Sequence, residues 1–90
     1  MKNLELRYVA HVTALSGCLV ESHQTRASSI RDLVKELDGR YRGFQELFVN
    51  PETGSLNLNA MIYYSAPNEV PITVVDLDQP IVDGGTLTFW

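Results

Sequence analysis

The chain has 90 residues, 44% of them hydrophobic and 20% charged, and a formal net charge of −4. This is the composition of one ordinary globular domain spanning residues 1–90; it excludes a disordered chain and leaves no room for a second domain. A single cysteine, Cys18, excludes an internal disulfide framework, a four-cysteine iron–sulfur site and a zinc ribbon, and fits a reducing compartment.

No apolar run approaches the roughly 20 residues of a membrane span, so no membrane role is expected. Met1-Lys2-Asn3 leads straight into alternating sequence, with nothing like a secretory leader, which points to the cytoplasm. The charge is unevenly spread. Residues 51–90 contain Glu52, Glu69, Asp76, Asp78 and Asp83 and no lysine or arginine, whereas the first half carries all seven basic residues. An acidic half is a poor surface for nucleic acid, so none is expected as a partner.

Leu4, Leu6 and Tyr8 alternate with Glu5, Arg7 and Val9, the period of a first strand. Ala10 through Ser16 is mixed and Gly17 interrupts it. Leu19 to Thr25 reads as a second strand. Ser29 followed by Asp32 is a capping pattern, and Ile30, Leu33, Val34 and Leu37 form one apolar helical stripe. Gly39 is placed to end that helix by adopting positive φ. Phe44, Leu47 and Phe48 suggest a short helical turn on the core.

Asn50-Pro51-Glu52-Thr53-Gly54 is a turn by composition. Leu56, Leu58, Ala60, Ile62 and Tyr64 alternate with Asn57, Asn59, Met61 and Tyr63, predicting a third strand. Val70 to Val75 is short and β-branched, and Pro71 restricts it to an edge or a strand start. An exposed edge there leaves homo-oligomerisation open, although Pro71 opposes it. Asp76 to Pro80 is a connecting loop. Asp83-Gly84 is a hairpin-type turn signal, and Thr86 to Trp90 alternates as the last strand. The order predicts an α+β fold: a mixed four- to five-stranded sheet with one main helix on one face.

Few residues suggest chemistry. Cys18 has no neighbour in sequence that would lower its pKa, so it reads as structural. His11 and His23 lack spaced partners for a metal, and Asp76 and Asp78 read as solvated loop charge. With no Ser/His/Asp set, phosphate loop or cofactor motif, no catalytic residue, metal or cofactor is assigned, and the chain is not read as an enzyme.

The element order is that of a ubiquitin-like β-grasp, and three stretches narrow the likeness. "LRYVAHVTALSG", "SSIRDLVKELDGRY" and above all "DLDQPIVDGGTLTF" resemble the opening, the helix and the closing run of the MoaD/ThiS family, the small sulfur carriers of molybdopterin and thiamine synthesis. The resemblance covers nearly the whole chain. It implies a β-grasp fold and a protein partner, either an activating enzyme or a synthase-like subunit, docked on the sheet face. Family members continue past the last strand into a tail, often Pro-Pro-x-x-Gly-Gly, whose final glycine is activated. This sequence stops at Trp90, short of that tail.

The pair Gly84-Gly85 invites a second reading, in which cleavage exposes Gly85 for activation. Such a cut would delete Leu87 and Phe89, each worth about 1.5–3 kcal/mol when buried. The whole domain holds only about 5–15 kcal/mol. The pair is therefore read as the turn before the last strand. Alternation places Val9 and Trp90 on the outer sheet face, and Met61, Tyr63 and Val74 are assigned to the same surface. These five residues are the expected partner-binding set, since an outward tryptophan beside Val9 exceeds the normal scatter of exposed apolar groups. The expected function is non-enzymatic protein–protein binding, as a subunit or adaptor of a cofactor-assembly, sulfur-transfer or ubiquitin-like system. The alternative is a sulfur carrier or protein modifier activated at a C-terminal glycine.

Overall fold

Along strand β1 (Lys2–Tyr8), Leu4, Leu6 and Tyr8 are buried while Asn3, Glu5 and Arg7 face outward, the period of two that gives a strand one core face. A computed structural model describes residues Met1–Trp90. After β1 the chain makes helix α1 (Val12–Ser16), a single turn that the mixed composition of residues 10–16 did not announce. Gly17, at φ 76°, closes it by donating its N–H to the Thr13 carbonyl at 2.8 Å. Strand β2 (Val20–Thr25) then returns antiparallel to β1, from Lys2 opposite Thr25 to Arg7 opposite Val20.

Helix α2 (Ile30–Arg40) begins where the Ser29 side chain accepts a hydrogen bond from the Asp32 N–H at 3.2 Å. Its stripe of Ile30, Leu33, Val34 and Leu37 is fully buried. Gly39 does not end it, contrary to the sequence expectation. The helix continues through Arg40, and Tyr41 donates its N–H to the Leu37 carbonyl at 2.7 Å. The reversal falls to Gly43 (φ 95°), where one oxygen of Asp38 accepts from the N–H groups of Gly43 and Gln45 at 3.2 and 3.0 Å. Helix α3 (Phe44–Phe48) follows and buries Phe44 and Phe48.

The predicted third strand is largely a turn. Strand β3 starts only at Ile62 and runs to Ser65, and Leu58, expected to point inward, is fully exposed. The side chain of Asn57 donates to the carbonyls of Glu46 and Leu47 at 3.0 and 3.2 Å, holding this segment against the end of α3 instead of in the sheet. Strand β4 (Ile72–Thr73) pairs antiparallel with β3, and β5 (Thr86–Phe89) enters between β1 and β3, parallel to the first and antiparallel to the second. The five-stranded order is β2-β1-β5-β3-β4. The helices lie on one face, and the core fills the space between: Leu6, Tyr8, Ile62, Leu87 and Phe89 from the sheet against Ile30, Leu33, Leu37, Phe44 and Phe48.

Asp83 and Gly84 do form a turn, but they lead into a central strand parallel to β1 and not into a hairpin. Gly84 adopts φ 83° and donates to the Asn3 carbonyl at 2.8 Å. Gly85 donates to the Val82 carbonyl at 3.2 Å and accepts from the Glu5 N–H at 3.0 Å. A Cβ on Gly85 would lie 3.0 Å from the Tyr64 ring and 3.1 Å from the Val82 carbonyl oxygen. Both glycines are thus required where they stand, one by conformation and one by close approach.

Candidate functional site

The register of four strands builds one continuous outer face. Tyr8 pairs with Phe89 and Ile62 with Phe89, so the next residues out, Val9, Trp90 and Met61, lie side by side across β1, β5 and β3. Two hydrogen bonds extend the ladder to this level: Val9 N–H to the Phe89 carbonyl at 3.0 Å and Trp90 N–H to the Met61 carbonyl at 2.9 Å. On β2's side, Val20 stands opposite Arg7 on the outer face, while Leu19 stands opposite Tyr8, its carbonyl accepting from Tyr8 N–H at 2.8 Å, and so belongs to the other face; both are exposed. One end of the outer face therefore presents an apolar row of Val9, Trp90 and Met61, with Trp90 44% and Met61 42% exposed, and Val20, opposite Arg7, borders it one level in. Leu58 projects from the turn just before Met61.

Away from that end the same face becomes polar. Arg7, Thr88, Tyr63 and Thr73 form the next level, and Glu5, Thr86, Ser65 and Pro71 the one after. Arg7 binds Glu5 on its own strand at 2.6 Å. A shallow depression of about 170 Å³ is lined by Arg7, Tyr63, Ser65, Pro71, Thr86 and Thr88.

The structure brings Val9, Met61 and Trp90 together and sets Tyr63 one level away, half-buried beside the hydroxyl groups. Val74 does not belong to this face. It is 1% exposed and its N–H donates to the Ile62 carbonyl at 2.8 Å. Thr73 lies opposite Tyr63, which turns Thr73 outward and Val74 into the core. Alternation alone gave no register for a strand this short. Val20 and Leu58 were missed. The available signal was the alternation of Val20 with Glu21, His23 and Thr25, which places valine opposite a polar inner face.

That inner face of β2 is a hydrogen-bonded array under α2. Glu21 accepts from the Tyr8 and Tyr41 hydroxyls and lies 3.1 Å from the Arg40 guanidinium. Burial raises the Glu21 pKa, but the hydrogen bonds from Tyr41 and Tyr8 and the charge of Arg40 outweigh it and hold the carboxyl below its ordinary value. Burial, and then the bond to Glu21, raises both phenols, Tyr41 to about 12 and Tyr8 further. His23 contacts Glu36 at 2.6 Å, and buried Thr25 donates to Glu36 at 2.9 Å while accepting from Ala27 N–H at 2.9 Å. Every polar group here is spent on the fold. Asp78 pairs with Arg31 at 2.7 Å, and that hydrogen bond holds its carboxyl below the ordinary range. Cys18 is half-buried and packs against the core.

No protein-family model matches the sequence, and no curated protein matches it. Solved structures do. A Pyrococcus furiosus protein described as molybdopterin converting factor, subunit 1, is similar over 99% of this chain and 95% of its own, at 19% identity and a TM-score of 0.69. The Haloferax volcanii HVO 2177 protein is similar over 98% of this chain and 80% of its own, at 17% identity and a TM-score of 0.75. Crystalline SAMP1 of Haloferax volcanii covers 98% of this chain with 92% of its own, at 15% identity and a TM-score of 0.69. At these identities the likeness is one of fold. The chain has a ubiquitin-like β-grasp fold, as its element order led one to expect.

Proposed function

We propose that this chain acts without catalysis, by docking another protein on the apolar end of its sheet face. It would serve as a subunit or adaptor of a cofactor-assembly, sulfur-transfer or ubiquitin-like system. The observation that carries the reading is the row of Val9, Trp90 and Met61 at one end of the outer face, with exposed Val20 one level in beside Arg7. A central tryptophan ringed by aliphatic groups has the composition of an interface anchor. The acidic second half of the chain favours a partner with a basic surface nearby.

The fold neighbours include a molybdopterin converting factor subunit and a small archaeal modifier protein, which supports a second reading as carrier or modifier. In that reading the activated glycine is not Gly85. Exposing it removes β5, whose Leu87 and Phe89 are fully buried and whose neighbours are the strands on both sides.

The test uses two probes, an adenylating activating enzyme of the MoaD/ThiS type and a molybdopterin synthase large subunit. Trp90→Ala is expected to weaken binding by about tenfold or more, the effect of losing an interface anchor, with little change in thermal midpoint. Unchanged binding of the variant, or no binding of either probe by the parent chain, counts against the docking reading. Incubation with the activating enzyme and ATP, followed by intact mass, addresses Gly85. An adenylated species ending there would overturn its assignment as a turn residue.

A further inference from the structure

The sheet has a second feature that the outer face does not use. Strand β4 is one of its two edges, and residues 70–75 that include it are uncharged and mostly apolar: Val70, Pro71, Ile72, Thr73, Val74 and Val75. Val70, Ile72 and Val75 are 77%, 55% and 83% exposed. Val74 N–H is spent on β3, so its neighbours Thr73 and Val75 turn their N–H groups away from the sheet, as alternation in an antiparallel ladder requires. Edges of this kind are ordinarily blunted by charge or proline; residues 70–75 carry no charge, and Pro71 precedes the outward N–H groups of Thr73 and Val75 without removing them.

Beneath the edge lies a cleft of about 230 Å³ lined by Tyr64, Ala66, Glu69, Val70, Ile72 and Gln79. The Tyr64 hydroxyl accepts from the Val82 N–H at 3.0 Å, and Tyr64 contributes to the cleft's wall. The surroundings are acidic. Glu69 and Asp76 have no cationic partner, no lysine or arginine occurs after residue 50, and Asp78 has only Arg31.

We propose that β4 is a strand-addition site for an extended segment of a partner protein, with an apolar side chain in the cleft and a basic residue beside it. Main-chain hydrogen bonds to Thr73 and Val75 would supply the pairing, and the cleft would select the side chain. A second copy of this chain is the weaker occupant, because it would bring the same uncompensated acids to the same edge. By extension of the register Val75 stands opposite Met61, so the edge adjoins the Trp90 row; what sets it apart is the main-chain pairing at Thr73 and the cleft beneath.

The probe is an acetylated, amidated Lys-Val-Thr-Val-Lys peptide titrated into the ¹⁵N-labelled chain. Shifts are expected to be largest at the Thr73 and Val75 amides, with slowed exchange at Thr73, and absent at Val9 on the far side of β5. Replacing both lysines by glutamate should weaken binding by about tenfold at low salt. Thr73→Pro should abolish the response, as proline is tolerated where an edge N–H faces solvent. Should that variant fail to fold, a peptide N-methylated at its central threonine applies the same block from the other side. No shift at Thr73, equal binding of the blocked forms, or a response centred on Trp90 overturns the proposal. So does a sedimentation result in which the chain alone dimerises and Val75→Lys makes it monomeric, which would assign the edge to self-association.

Discussion

Tyr8 and Tyr41 donate their hydroxyls to the same oxygen, Oε2 of Glu21, at 2.5 and 2.6 Å. One phenol comes from the central region of the sheet and the other from the end of α2, so a single carboxylate ties the β1–β2 hairpin to the helix. The rings themselves meet edge to face, 5.9 Å apart. Glu21→Ala would leave both hydroxyls without their acceptor in a largely buried site. A loss of about 2–3 kcal/mol is expected in urea unfolding. Glu21→Gln keeps an oxygen acceptor and should lose less; equal losses would show that the side chain is valued for packing alone.

The same array sets a pH dependence. The folded-state pKa of Glu21 lies below its unfolded value, so its stabilisation is present above the unfolded value, near 4.5, and is lost as pH falls through the folded one. Tyr8 and Tyr41 have raised folded values, so their contribution is present below the unfolded value of 10.0 and is lost as pH rises toward the folded ones. Thermal midpoints should therefore fall at both ends of the range. Tyr8→Phe combined with Tyr41→Phe should flatten the alkaline limb, which midpoint measurements between pH 8 and pH 11, about the span in which free phenols titrate, will check.

Gly84→Ala and Gly85→Ala separate two kinds of requirement. At Gly84 an alanine meets a φ of 83° and a Pro67 ring carbon at 3.0 Å; about 1–2 kcal/mol is expected from the left-handed conformation alone. At Gly85 the backbone is ordinary, but the new methyl group would press on the Tyr64 ring and on a carbonyl oxygen. About 1–3 kcal/mol is expected there. Tyr64→Ala introduced beside Gly85→Ala should relieve part of the second cost and none of the first, a double-mutant cycle readable by urea denaturation.

Phe89 is the hub of the aromatic core. Its ring lies 5.0 Å from Phe44, 5.3 Å from Phe48 and 5.9 Å from Tyr8. Phe89→Ala should cost about 3–5 kcal/mol, enough to leave a domain of this size partly or wholly unfolded. The loss of its near-ultraviolet circular dichroism at 25 °C is the check. Phe89→Leu should remain folded.

How far the sequence spoke can be judged residue by residue. The Leu4–Leu6–Tyr8 alternation and the Ile30–Leu33–Val34–Leu37 stripe were legible because each is a local pattern that its own element satisfies. Ser29 announced its helix for the same reason. Leu58 was misread because alternation continues in the sequence beyond where the sheet continues in space; the Asn57 side chain, reaching back to α3, ends it. Val74 was misread because the face of a two-residue strand is set by its partner, Tyr63 opposite Thr73. The Glu21 array joins residues 13 and 20 positions apart, and no local pattern encodes it.

Strand β5 follows every other element in the sequence yet sits in the middle of the sheet, with Glu5 opposite Thr86. A nascent chain emerging from the ribosome cannot close this sheet until its final strand is out. Without β5, the facing edges of β1 and β3 have no partner strand. The sheet therefore cannot close until all four other strands and the three helices have been made. The same geometry makes β5 a detachable piece: residues 1–85 and a synthetic 86–90 peptide form a natural pair for fragment complementation.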